Sequence, residues 1–201
     1  MTYPGWPRYT DQLGAVASAE RGPTAPTTLP WPNAGGAPDF RMEFFRHDQD
    51  VALSIPVQFP HGRRLGSNLG DFHLHLIPMV NPTTPGVDDN VRFDYAYYWL
   101  NNFTDAMPDR NLWTTGVKNW TVPAAAQYKM YVVDLFSDIA PPASEGYSSI
   151  LFITFQRSGT NVGDTFNVNS TLSTQQANLG IASIDAHYLV DRFGSFNEAS
   201  D

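Results

Sequence analysis

The feature that most limits what this chain can become is a pattern of short stretches in which apolar and polar residues alternate. Its clearest example lies within Ile181–Ser195, IASIDAHYLVDRFGS. Ala182, Ile184, Ala186, Tyr188 and Val190 share one face, Ser183, Asp185, His187 and Leu189 share the other, and Gly194 ends the run. A period of two marks a half-buried β-strand, because successive side chains leave opposite faces of the pleat. So late in the chain, such a strand is expected to close a sheet that earlier strands have laid down.

The same signal recurs upstream. Phe40–Phe45 is a short apolar run, and Val51–Phe59 alternates around Pro56, which has no backbone donor and so points to an edge or a bulge. Asp71–Val80, Val91–Leu100, Gln127–Phe136 and Ser148–Arg157 follow, with a short strand expected at Thr165–Val168. Val91, Phe93, Tyr95, Tyr97 and Trp99 fall on one face of their strand, and Phe152 and Phe155 on opposite faces of theirs. Between these runs lie a turn at His61–Asn68, loops at Asn81–Asn90 and Asp138–Tyr147, and a long irregular stretch, Asn101–Ala126. No helical period persists beyond a turn or two. Seven or eight strands without intervening helices predict an all-β domain, a two-sheet sandwich or barrel, over residues 39–201. Long loops suit a jelly roll, whose connections cross between sheets. Nothing in the chain repeats.

Residues 1–38 read as an extended Pro/Gly-rich arm. Pro4, Pro7, Pro23, Pro26, Pro30, Pro32 and Pro38 interrupt it, which precludes a long helix or a central strand. Tyr3, Trp6, Tyr9 and Trp31 are its natural anchors, either on a neighbouring subunit or back over its own domain.

Composition narrows the partners. The net charge is −8, whereas nucleic-acid binding is driven by Lys and Arg displacing counterions, so nucleic acid is not expected as a partner. There is no cysteine, which removes disulfides, thiolate catalysis and cysteine metal sites. No basic-then-apolar leader is recognisable at the N-terminus, and no apolar run is long enough to span a bilayer, so no membrane association is expected. The triplets at Asn102, Asn119 and Asn169 then read as chance matches to a glycosylation motif. Only 16% of residues are charged, which leaves a surface of Asn, Thr, Ser, Pro and Gly suited to permanent packing against neighbours.

Two constellations carry possible chemistry. Asp71, His73 and His75 project from one face of their strand, and Asp185 and His187 from one face of theirs. If the strands are neighbours, three imidazoles and one or two carboxylates converge. A structural hydrogen-bonded cluster is the expectation, since each buried ring nitrogen needs a partner. A metal site on His73, His75 and His187 is the alternative, because a His-x-His pair with a distant histidine is also the ligand pattern of cupins. Against it, Ile77–Asn81 occupies the region where cupins place a glutamate, and their glycine-framed segments are missing. Neither a nucleophile elbow nor a phosphate loop is present, and Asp88-Asp89 reads as a solvated turn, so no enzyme activity and no cofactor are expected. The stripe from Phe93 to Trp99 reads as the inner face of a sandwich rather than a sugar-stacking platform. Trp113 and Trp120 are the better contact candidates, since large amphipathic rings are favoured at interfaces.

Four segments taken together, FHLHLIP at 72–78, VRFDYAYYW at 91–99, YSSILFITFQR at 147–157 and IDAHYLVDRFGS at 184–195, resemble a family of tailed-bacteriophage virion structural proteins. That family shows a His-x-His strand, an aromatic-rich strand, a third apolar strand and a terminal D-x-H-Y-x-x-D-x-x-G-S strand. Asp185, His187, Tyr188, Asp191, Gly194 and Ser195 fall on the last motif, while Leu76 stands where a tryptophan often follows the second histidine. Members are described as capsid decoration or cement proteins, tail fibres or structural proteins. The resemblance implies a virion component made in a bacterial host's cytoplasm. A decoration or cement protein on the capsid exterior, bridging major capsid protein subunits as a homotrimer or homodimer, is the first expectation. A tail-associated or receptor-binding module is the second, and a cupin-like metalloenzyme the third.

Overall fold

The computed structural model of the chain describes residues 8–14, 20–21, 27–30, 41–58, 64–100, 112–143, 146, 149–166 and 177–190, with side chains between 43 and 188. Among them no helix is long and apolar enough to cross a membrane. Eleven strands are described: β1 (Arg8–Gly14), β2 (Glu20–Arg21), β3 (Thr27–Pro30), β4 (Arg41–Phe45), β5 (Asp50–Gln58), β6 (Leu69–Pro78), β7 (Asn90–Leu100), β8 (Thr114–Thr121), β9 (Tyr131–Ile139), β10 (Ile150–Ser158) and β11 (Leu179–Val190).

They form two antiparallel sheets. The first runs β3-β4-β11-β6-β9 with β1 on the free part of β11, and the second runs β2-β5-β10-β7-β8. Set β1–β3 aside and two four-stranded sheets remain, 4-11-6-9 and 5-10-7-8. Each connection from β4 to β11 crosses between sheets except β7 to β8, which is the winding of a jelly roll. The fold class expected from the alternating pattern is the one observed.

The alternation also decides what is buried. From the first sheet Phe72, Leu74, Leu76, Ile184, Ala186 and Tyr188 point inward. From the second come Val51, Leu53, Ile55, Val57, Val91, Phe93, Leu151, Ile153 and Phe155. Phe45 meets Phe93 and Phe155 edge-on across the sheets, at 5.7 and 6.0 Å between centroids. A register shift between Ile181 and Ser183 turns Ile181 into the core and leaves Ala182 exposed, so the closing strand's inner face begins at Ile184 rather than Ala182.

One inward position is not apolar. Arg157, next on the inner face after Phe155, is wholly buried and pairs with the equally buried Asp164. Nε and one terminal nitrogen each donate to a carboxylate oxygen at 2.8 Å. The rest of the guanidinium donates to the carbonyls of Phe166 at 2.6 Å, Phe45 at 3.5 Å, and Ala177. Asp164 also accepts from the Arg92 N–H of β7 at 3.3 Å. A buried charge is tolerated only when paired and fully hydrogen-bonded, and this one ties β10, the end of β4, the approach to β11 and the 159–166 loop together. That loop is further fixed by Thr165 and Phe166 N–H groups donating to the Asn90 carbonyl. Residues 164–166 are irregular, not the start of the short strand expected there, because they serve this network; 167–170 lie outside the described residues.

Two boundaries differ most from expectation. β8 occupies part of the stretch expected to be irregular, pairing with β7 from Thr121–Asn90 to Thr114–Tyr97. β9 starts at Tyr131 rather than Gln127, because Tyr128 adopts a φ of 61° and its N–H donates to the Pro78 carbonyl at 2.8 Å, making a turn. Pro56 lies beyond the described pairs of β2, on the side of β5 facing away from β10, in keeping with its missing donor. Of the two placements expected for the arm, its described strands take the second: β1 and β3 extend the first sheet and β2 the second.

Arg157→Met strands Asp164 and three carbonyls in the interior. It is expected to lower the unfolding free energy by about 3–5 kcal/mol in urea denaturation, the cost of breaking a buried pair. A loss under about 1 kcal/mol would mean the network is not what holds these elements together.

Candidate functional site

β6 and β11 are adjacent in the first sheet, with His73 opposite Asp185 and His75 opposite Ser183. Because Phe72, Leu74 and Leu76 point into the core, His73 and His75 leave the opposite face, as do Asp185 and His187 between Ile184, Ala186 and Tyr188. The convergence anticipated from the two sequence runs is therefore real, and it lies on the outer face of the sheet.

Asp185 sits between two imidazoles. Its Oδ2 is 3.3 Å from His73 Nε2 and 2.7 Å from His75 Nε2. His73 and Asp185 are nearly inaccessible, at 7% side-chain exposure each, and His75 is at 19%. On its other side His73 Nδ1 faces the exposed Asp134 of β9 at 3.9 Å. His187 stands edge-on to His73, at 4.6 Å between ring centroids, and its Nδ1 is 4.0 Å from Asp71. Closeness does not amount to satisfaction. His75 Nε2 makes no hydrogen bond despite its 2.7 Å approach to Asp185 Oδ2, and Asp185 Oδ1 is buried without a hydrogen-bond partner. The expectation of a fully hydrogen-bonded cluster thus holds for its assembly but not for these two atoms.

This is not a cupin-like pocket. A metal inside the sandwich would need His73 and His75 turned inward, and those directions belong to Leu74 and Leu76.

The aromatic candidates divide. Tyr3, Trp6 and Trp31 lie outside the described residues; Tyr9 is in β1 opposite Leu189, placed by its backbone. Trp113 precedes β8, stacks on Tyr98 at 6.3 Å, and keeps its Nε1 buried without a partner among the described residues. Trp120 belongs to β8 rather than a loop, and its ring packs 5.8 Å from Tyr131 of β9, bridging the edges of the two sheets. In the stripe on β7, Phe93 and Trp99 are buried, while Tyr95 and Tyr97 lie 5.0 and 5.4 Å from Phe136. That stripe is inner face, as expected. Burial, then the neighbouring Tyr97, pushes the Tyr95 phenol above its usual range. A Cβ on Gly116 would collide with the Tyr95 ring, which explains the glycine opposite it.

A feature the sequence reading passed over is the asymmetry of the sheet edges. On the β4–β5 side the chain's own β3 and β2 add to the sheets. On the other side, among the described residues, β8 and β9 are the last strands of their sheets and lie against each other. Large apolar side chains stand exposed there: Leu112 and Val117 at β8, and Met130 and Val132 at β9. The outer face of the second sheet holds a shallow depression of about 400 Å³ beside this edge, lined by Asp94, Ala96, Thr115, Val117, Thr154 and Gln156.

No protein-family model matches the chain, and no curated protein matches it. Among solved structures it is similar to a carbohydrate-binding module, TmCBM61, in complex with beta-1,4-galactotriose. The TM-score is 0.31 at 8% identity, over 93% of this chain and 88% of that one. A likeness this distant says nothing about what this chain binds.

Trp120→Ala is expected to cost about 2–3 kcal/mol in chemical denaturation, somewhat below a fully buried tryptophan, because the ring packs between the sheets. A near-neutral result would return Trp120 to the status of a free contact residue.

Proposed function

We propose that this protein is a structural component of a bacteriophage virion, and that it acts as a capsid decoration or cement protein. The observation that carries the reading is the open side of the sandwich. An edge strand exposes unpaired N–H and C=O groups and is a template for association unless it is covered or charged. Here the arm's described strands extend one side, while on the other no described strand pairs beyond β8 and β9, and Leu112, Val117, Met130 and Val132 stand exposed. Apolar side chains beside open edges favour a protein neighbour.

The four segments that resemble virion proteins support the same reading. Their described residues fall on β6, β7, β10 and β11, the two central strands of each sheet, while Asp191, Gly194 and Ser195 lie outside the described residues. Their inward residues answer to packing alone. Asp185 and His187 point outward, so their match to the motif is not dictated by the core. The partner is the major capsid protein, with a second copy of this chain completing a dimer or trimer at a lattice symmetry axis. Binding energy gained only on the assembled shell adds to the stability of that shell. A tail-associated module that stacks glycans is the second reading, favoured by the Tyr98–Trp113 pair near the outer face of the second sheet.

The test uses purified protein and shells lacking it. Val117→Lys with Val132→Lys places charge on both exposed edges and is expected to weaken shell binding at least tenfold, with stability changed by no more than about 0.5 kcal/mol. Unchanged shell binding by the double variant, or binding to host glycans in place of shells, would overturn the cement role.

A further inference from the structure

We propose that His73, His75 and Asp185 form a binding site for one divalent transition-metal ion of the zinc class on the outer face of the first sheet. Their ligand atoms all lie within 4.8 Å of one another. Two ligands about 2.0–2.1 Å from one tetrahedral metal stand about 3.3 Å apart; His73 Nε2 is 3.3 Å from Asp185 Oδ2, and His75 Nε2, at 2.7 Å from the same oxygen, has to draw back by about half an ångström to admit an ion.

The second observation is independent of spacing. Asp185 Oδ1 and His75 Nε2 are buried polar atoms without a hydrogen-bond partner. An atom such as Asp185 Oδ1, which forfeits its solvation for no partner, is rare, and a bound ion is one of the few arrangements that explains it; His75 Nε2 has only its 2.7 Å approach to Asp185 Oδ2. A hydrogen bond satisfies one lone pair along one direction, whereas a cation takes ligands from three. Both imidazoles present Nε2 to the same carboxylate, so one ion meets all three groups.

Donor chemistry selects the ion. Two imidazoles with one carboxylate suit zinc, copper, iron or nickel; calcium and magnesium take oxygen ligands. Asp134, at 3.9 Å behind His73 Nδ1, is placed as an outer carboxylate that orients the ring. His187 touches His73 edge-on rather than through a ring nitrogen and is not assigned as a ligand. Three protein ligands leave a fourth position for water or a side chain of a neighbouring molecule. An ion held by β6 and β11 would clamp the two central strands of the sheet.

Full-length, tag-free protein stripped with EDTA tests this. Zinc chloride titrated by calorimetry is expected to bind at about one equivalent. At a hundredfold excess over Kd it should raise the melting temperature by about 5–10 °C. Calcium and magnesium should do neither. Asp185→Asn and His75→Gln are expected to weaken zinc binding tenfold or more; His75, being part-exposed, is the variant less prone to misfold, with circular dichroism as the check. Cobalt substitution should give visible absorption of tetrahedral intensity, lost in His75→Gln. Absence of an equivalent of zinc, or binding that both variants retain at wild-type affinity, would overturn the site.

Discussion

A positive charge buried at one end of an apolar interior is the constraint around which this structure is arranged. Arg157 occupies an inward position that the strand's alternation would give to a Val or Leu, and no water reaches it. Its charge requires Asp164, and its remaining N–H groups require the carbonyls of Phe45, Phe166 and Ala177. These acceptors belong to segments far apart in sequence, so the guanidinium fixes where β4 ends, how β11 is approached and how the 159–166 loop folds over the end of the core. Replacing such a pair with hydrophobic residues often leaves stability unchanged or improved, so its presence is better explained as specifying one arrangement of the chain ends than as a store of stability.

From that fixed end the jelly roll divides its work by face and edge. Inner faces hold the aromatic and aliphatic core. On the outer face of the first sheet, β6 and β11 bring His73 and His75 to Asp185, with His187 edge-on to His73. Edges on one side are extended by β2 and β3, whereas on the other, among the described residues, no strand pairs beyond β8 and β9, and apolar side chains there stand exposed. A sandwich so protected on one side only is suited to attachment, and that asymmetry is the physical basis of the adhesive role proposed for it.

Period-two alternation made most of this legible in the sequence. It located β4, β5, β6, β7, β10 and β11 to within a few residues, placed Phe93 and Trp99 inside, and put His73, His75, Asp185 and His187 on one face. Alternation fails where tertiary contacts choose the conformation. β8, TTGVKNWT, is rich in polar residues because one face is half-buried and the other exposed. Tyr128 turns the chain at positive φ despite its bulk because its N–H is needed by Pro78, which delays β9. Arg157 looked like the polar end of an apolar run, since nothing local distinguishes a charge at a strand end from one aimed inward; Asp164, seven residues on, is the one available hint. The proline-punctuated arm could not show which edges it would join, because pairing with a distant strand leaves little trace in its own sequence.

The adhesive account is tested most directly by counting. Quantitative mass spectrometry of purified virions, with this chain measured against the major capsid protein, gives its copy number without perturbing the particle. A protein that cements shell subunits at lattice axes is present in hundreds of copies, set by the symmetry of the head. About a dozen copies or fewer per particle, in register with a tail, would contradict the account.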